Sequence, residues 1–145
     1  MYNNDLEQNS ANHQPLSPLP FLERAASVFP DHVAIIYGDV RISYAEFYAR
    51  CRRFASVLAR RGIGHGDTVS VMLANTPVML EAHYAVPMCG AVLHSINTRL
   101  DPSTIAFQLD HGESKVLIAD TGFSTTMEEA LTLATVAPWV IDYED

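Results

Sequence analysis

The chain predicts an α/β fold: a parallel sheet flanked by helices, preceded by an antiparallel hairpin. Three observations carry that expectation. The stretch Gly66 to Leu100, GDTVSVMLANTPVMLEAHYAVPMCGAVLHSINTRL, joins strand, cap, apolar helix and strand without a break and reads as one βαβ crossover. Strands alternate with helices from Thr68 to the end, the pattern of a parallel sheet in a three-layer arrangement. Gly38-Asp39 lies between two short apolar runs, a compact hairpin signal.

Taken in order, Tyr2 to Ser17 is a polar lead rich in Asn, Gln and Pro, expected to be mobile, so residues 1–17 are set apart from an α/β domain over 18–145. Pro18 and Pro20 start the first helix, where a missing N–H costs nothing. Val33 to Tyr37 and Val40 to Ile42 are the hairpin strands. Ser43 and Glu46 form an S-x-x-E capping box, in which each side chain accepts from a backbone N–H of the helix start. The helix that follows has an apolar face of Tyr44, Phe47, Cys51, Phe54 and Leu58, with Glu46 and Arg50 expected to pair on its solvent side. Gly62 ends it.

Thr68 to Ala74 is an apolar, β-branched run of strand length. Asn75 or Thr76 caps the next helix, whose first turn holds Pro77. Val78, Met79, Leu80, Ala82, Tyr84, Ala85 and Val86 leave that helix almost no polar face, as expected for one covered on both sides. Ala91 to Ile96 is a second strand, Asp101 caps a helix with Pro102 at its first position, and Lys115 to Ala119 is a buried strand. The residues after Thr121 read as a helix and Trp139 to Asp142 as a further strand.

The spine of Gly66 to Leu100 resembles the N-terminal portion of AMP-forming acyl-CoA synthetases, which show G-D-x-V-x-V-x-L-x-N, then E-A-H-Y and P-M-x-G-A-V-L, ending in N-x-R-L. Upstream, Ile42 to Phe47 is similar to the family's L-T-Y-x-E-L signature, and Phe21 to Ala26 with Phe29-Pro30-Asp31 to its first helix and turn. The resemblance covers roughly Pro15 to Asp120, in family order. His94 departs from it, standing where many members carry Asn.

The resemblance implies a protein several times longer, of which residues 18–145 are the incomplete beginning of the large N-terminal domain, stopping before the phosphate-binding loop. It implies an enzyme that activates a carboxylic acid, fatty or methylmercaptopropionate-like, with ATP and Mg²⁺ to an acyl-adenylate and passes the acyl group to CoA. The partners implied are the remainder of the same enzyme, the acid and CoA. This chain alone is expected to be inactive and to bind none of these cofactors tightly, because the Ser/Thr/Gly-rich loop ending in Lys, the adenine-binding aromatic segment, the ribose-binding Asp and the C-terminal catalytic Lys are absent from it. A different reading is a free-standing, non-catalytic α/β module that binds a partner or completes a split enzyme.

Other residues that tempt a chemical role have structural readings. Thr121 to Thr126 superficially resembles a phosphate loop, lacks the second glycine and the lysine, and reads as a helix-capping turn. Gly62 to Gly66 follows a helix and precedes a strand, the wrong order for a phosphate cradle, and reads as a connection. Arg50, Arg52, Arg53, Arg60 and Arg61 read as a solvated helix face, and Glu81 and His83, two apart, point to different faces. The six histidines show no metal-ligand spacing with the cysteines, and no metal site is assigned. Arg99 is the candidate binding residue: it follows a buried strand at the carboxyl end of a parallel sheet, where open α/β sheets place ligands. The family resemblance places this arginine toward the nucleotide end of CoA, and a guanidinium suits a phosphate. The competing reading is an arginine that pairs with Asp101 or the helix start. No catalytic residue is assigned.

With 48% hydrophobic and 18% charged residues the chain has the means to build a core. Its net charge of −8 and pI near 5.1 argue against nucleic acid and anionic membrane surfaces as partners. No apolar run reaches the about 18 residues of a membrane span. The polar, acidic start lacks a signal sequence, so the cytoplasm is the expected compartment. Cys51 and Cys89 are expected as buried thiols rather than a disulfide. The open edge of a parallel sheet leads to an expectation of self-association.

Overall fold

The structure is a computed structural model that describes residues 7–9, 11–13 and 16–145. The expected mobile lead therefore lies partly outside the described residues, at 1–6, 10, 14 and 15. Helix α1 (Leu19–Val28) starts at Pro18, where the Ser17 hydroxyl accepts from the Leu19 N–H at 3.3 Å. Strands β1 (Val33–Tyr37) and β2 (Val40–Ser43) pair antiparallel, and Gly38 takes the positive φ of +54° that the tight turn demands.

Helix α2 (Tyr44–Arg60) begins with half of the expected capping box: the Ser43 hydroxyl accepts from the Glu46 N–H at 3.2 Å, while the Glu46 carboxylate makes no bond back to the Ser43 N–H. It ends in a Schellman motif: Gly62, at φ +79°, donates its N–H to the Ala59 carbonyl at 2.9 Å, and Ile63 donates to Leu58 at 3.1 Å. Ile63 then packs against Leu58 in the same buried cluster.

A four-stranded parallel sheet follows, in the order β4-β3-β5-β6. Its strands are β3 (Thr68–Met72), β4 (Val92–Ser95), β5 (Ser114–Asp120) and β6 (Trp139–Tyr143). The crossovers are α3 (Pro77–Met88), α4 (Pro102–His111) and α5 (Ser124–Leu133). Alternation along the strands divides the core in two. Val69, Val71, Val116 and Ile118 pack with Leu58, Ala82 and Val86 of α2 and α3, whereas Met72, Leu117 and Ala119 pack with Ile105, Leu109, Met127 and Ala130 of α4 and α5. A third cluster of Leu22, Ile42, Phe47 and Cys51, joined by Tyr84 and Met88, fastens α1 and the hairpin to the outer side of α2 and α3. Helix α3 is thus packed on both sides, leaving Leu80 and His83 at the surface.

Several local expectations are corrected. The first parallel strand ends at Met72 rather than Ala74, and the next is confined to Val92–Ser95. Thr76 occupies the cap position of α3, yet its hydroxyl makes no cap bond; it is buried facing the Tyr143 phenol, outside normal hydrogen-bond geometry. Cys51 and Cys89 are free thiols, but only Cys51 is buried. Burial pushes the Cys51 thiol up to about 12, so it stays protonated and inert. Arg50 does not pair with Glu46: its Nε lies 2.5 Å from Oε1 of Glu81 on α3. Glu81 is buried at 5% exposure and requires a cation, a demand that outweighs a solvent-side pair.

Candidate functional site

The carboxyl ends of the four parallel strands form one rim of the sheet. After β4 the chain turns through Asn97, whose Oδ1 accepts the Arg99 N–H at 2.9 Å while its carbonyl accepts the Leu100 N–H at 3.2 Å. The turn lifts Arg99 out of the sheet and leaves it exposed. Asp101 then starts α4, accepting from the Thr104 N–H at 3.0 Å and from the Ser103 and Thr104 hydroxyls, each at 2.6 Å. Those three donors hold the Asp101 carboxyl well below the usual carboxylate range. With both its oxygens engaged, Asp101 is not the partner of Arg99, and among the described residues no ion pair includes Arg99. A planar, permanently charged fork stands at the ligand rim of the sheet.

Beside this rim, a cleft of about 780 Å³ opens between the hairpin and α3 at the ends of β3 and β4. Ile36, Tyr37, Asn75, Thr76, Leu80 and Ser95 line it. At the ends of β1 and β6, Tyr37 donates its phenol proton to Asp145, whose other oxygen accepts from Tyr143 at 3.1 Å. The carboxylate beside it raises the Tyr37 pKa. Sequence reasoning missed this cleft, since its walls come from elements about forty residues apart and no local pattern joins them.

The turn after β5 fits no phosphate. The Gly122 N–H, the one glycine amide available there, already donates to the Asp120 carboxylate at 2.8 Å, so the loop presents negative charge and works as the capping turn its sequence suggests. Gly64 of the other glycine-rich stretch likewise donates to Asp67 at 2.9 Å, in a connection between α2 and β3. Lys115 at 2.5 Å and the Gly64 N–H together lower the Asp67 pKa. Glu81 and His83 do face apart: Glu81 is buried on Arg50, whereas His83 is exposed with Nδ1 bonded to the Met79 carbonyl at 2.8 Å. The arginine face is exposed as expected at Arg52, Arg53, Arg60 and Arg61, with Arg52 over the Tyr48 ring of its own helix at 5.7 Å and Arg61 over the Trp139 ring of β6 at 4.3 Å.

A family model described as AMP-binding enzyme matches residues 22–143. Acetate/butyrate–CoA ligase AAE7, peroxisomal, of Arabidopsis thaliana is 47% identical over 129 residues, covering 89% of this chain and 23% of that protein. Acetate–CoA ligase CCL3 of Humulus lupulus is 46% identical over the same shares of each chain. The solved structure of O-succinylbenzoate coenzyme A synthetase from Bacillus subtilis, in complex with ATP and magnesium ion, superposes with a TM-score of 0.71 at 31% identity. It covers 84% of this chain, which matches 32% of the solved one. This chain spans about a quarter of the length of the curated relatives it matches.

Proposed function

The chain belongs to the AMP-binding enzyme family, and from that membership we propose that it serves as the N-terminal part of an AMP-forming acyl-CoA ligase. The whole enzyme would join a carboxylic acid to CoA through an acyl-adenylate, with ATP and Mg²⁺ as co-substrate and cofactor; the Bacillus relative's complex with ATP and magnesium supports that set. The observation that carries the reading is the ordered match over residues 22–143 together with a parallel sheet of the same fold.

Within that enzyme the residues described here divide the work. The turn after β5 offers no cradle for ATP phosphates, so adenylation falls to the remainder of the enzyme. Arg99 suits a phosphate of CoA: it is exposed, lies at the carboxyl end of β4, and has a guanidinium free of ion pairs among the described residues. When bound, CoA supplies the thiol that accepts the acyl group. Arg99 orients its nucleotide end by bidentate hydrogen bonding and takes no part in proton transfer. The acid is proposed only as a carboxylate, because the relatives' names span acetate, butyrate and O-succinylbenzoate; fatty acids are one option among these. A cytoplasmic location belongs to the same proposal, supported by the acidic balance, while a peroxisomal one stands in the name of the Arabidopsis relative.

The test is an enzyme carrying this sequence as its N-terminal part, assayed with a panel of carboxylic acids. Acid-dependent exchange of pyrophosphate into ATP, followed by thioester formation on adding CoA, is the expected result. Exchange without any thioester, across the panel, would contradict the proposal.

A further inference from the structure

On the face of the sheet covered by α4 lies a polar chain, buried at its two serines and half-buried at its histidine, that the proposed ligase reaction does not use. Ser70 of β3 is fully buried, with its Oγ 2.9 Å from Nδ1 of His94 on β4 and 2.5 Å from Oγ of Ser114 on β5. Parallel register sets Ser70 directly opposite His94, and Ser114 opposite Thr68. Helix α4 closes the group from above. A Cβ added at Gly112, beyond the helix end, would stand 3.7 Å from His94 Nδ1 and 3.1 Å from the Gln108 carbonyl, and the Gln108 side chain lies beside the ring.

Two directions are open to this chain, and they differ in what becomes of the Ser114 proton. Ser70 has one O–H to give. If Ser114 donates to Ser70 and Ser70 donates to Nδ1, both bonds are made with a neutral ring that keeps its proton on Nε2, and neither hydroxyl proton is left over. A protonated ring reverses the order: Nδ1 donates to Ser70, Ser70 turns to Ser114, and the Ser114 proton loses its acceptor in the chain. The imidazolium also gains no counter-charge. The groups facing it are Ser70 and the nearby Thr68 of β3, Ser114 of β5, and Gln108 and Gly112 of α4 and its end, none of them ionisable. Of the charged or titratable groups on those elements and their ends, Asp67 pairs with Lys115, Asp110 accepts from the Thr135 and Val136 amides, Asp120 accepts from the Gly122 amide, His111 stacks on Phe107, and Glu113, between Gly112 and Ser114, is exposed.

We propose that the Ser114–Ser70–His94 chain is a proton-sensitive fastener of α4 to the sheet, holding while the ring is neutral and loosening when it is protonated. Burial lowers the His94 pKa from 6.5, with Gln108 opposing, so the folded chain binds fewer protons there than the unfolded one. The contribution to stability is therefore intact above the unfolded pKa near 6.5 and is lost as pH falls below it.

The experiment measures amide-exchange protection factors, corrected for intrinsic rates, at pH 7.5 and 5.5 in this chain and in His94→Asn. Imidazole ¹⁵N shifts report the tautomer. An Asn offers Ser70 an acceptor that does not titrate. The expected result is an unprotonated Nδ1 at pH 7.5 and α4 protection that falls about fivefold relative to β3 and β5 at pH 5.5, the equivalent of one hydrogen bond. In the variant that ratio stays flat. A protonated Nδ1 at pH 7.5, pH-independent α4 protection, or an equal fall in the variant would overturn the proposal. Should His94→Asn not fold, titration of the unmodified chain decides: a His94 pKa at or above 6.5 overturns it and a lower one supports it.

Discussion

Glu81 shows how a single residue commits its neighbours. At 5% exposure its carboxylate cannot be left to water, and the Arg50 guanidinium, itself one-third exposed, reaches across from α2 to meet it. Removing Arg50 strands the acid; removing Glu46, which Arg50 does not touch, strands nothing. Arg50→Ala is therefore expected to lower unfolding stability in urea by about 2 kcal/mol, below the usual loss for a broken buried pair because Arg50 keeps partial contact with solvent. Glu46→Ala is expected to change it by less than about 0.5 kcal/mol. Equal effects from the two would restore the i,i+4 pairing. The sequence could not separate these partners: a spacing of four marks Glu46 as available, whereas Glu81 becomes the stronger claimant only once α3 packs on α2 and takes its acid out of water. The same holds for Ser70, His94 and Ser114, which lie far apart in the chain and meet only through strand register.

At the scale of elements, much was legible because local chemistry and tertiary packing agree. The S-x-x-E start of α2, the Asp101-Pro102 start of α4 and the glycine stop at Gly62 all carry their signals within four residues, and each forms its bond. Gly62 offers a clean test of the helix stop. A side chain there meets nothing within 4 Å, so Gly62→Ala adds only the strain of φ +79°, expected to cost about 1 kcal/mol of unfolding free energy measured in urea. No measurable loss would mean that the turn relaxes and the motif is not what ends α2. Strand ends were less legible than helix starts. Leu73 and Ala74 continue an apolar run, but strand pairing stops at Met72, where the chain must leave the sheet to reach the start of α3. Thr76 is the clearest miss: a good capping residue by type, whose hydroxyl is instead buried without a hydrogen-bond partner.

For the whole molecule, the four parallel strands leave β4 and β6 each paired on one side only among the described residues, with Val92 and Val140 exposed on them. Such edges invite pairing. Sedimentation velocity on the isolated chain is expected to show an average mass that rises with concentration; a single monomeric species at all concentrations would count against open edges as sticky surfaces. In the ligase of which we propose this chain to be a part, the division of labour is the central claim: this chain supplies the frame and a CoA phosphate contact, while adenylation is carried elsewhere. Arg99 tests it most directly, since the turn that presents it is held by Asn97 and its guanidinium is no structural tie. The measurement compares both half-reactions in the enzyme with Arg99→Ala. The account predicts a KM for CoA raised on the order of tenfold, with pyrophosphate exchange unchanged, because losing one charge-assisted phosphate contact affects only the step that uses CoA. A fall in exchange as steep as the fall in thioester formation would contradict it.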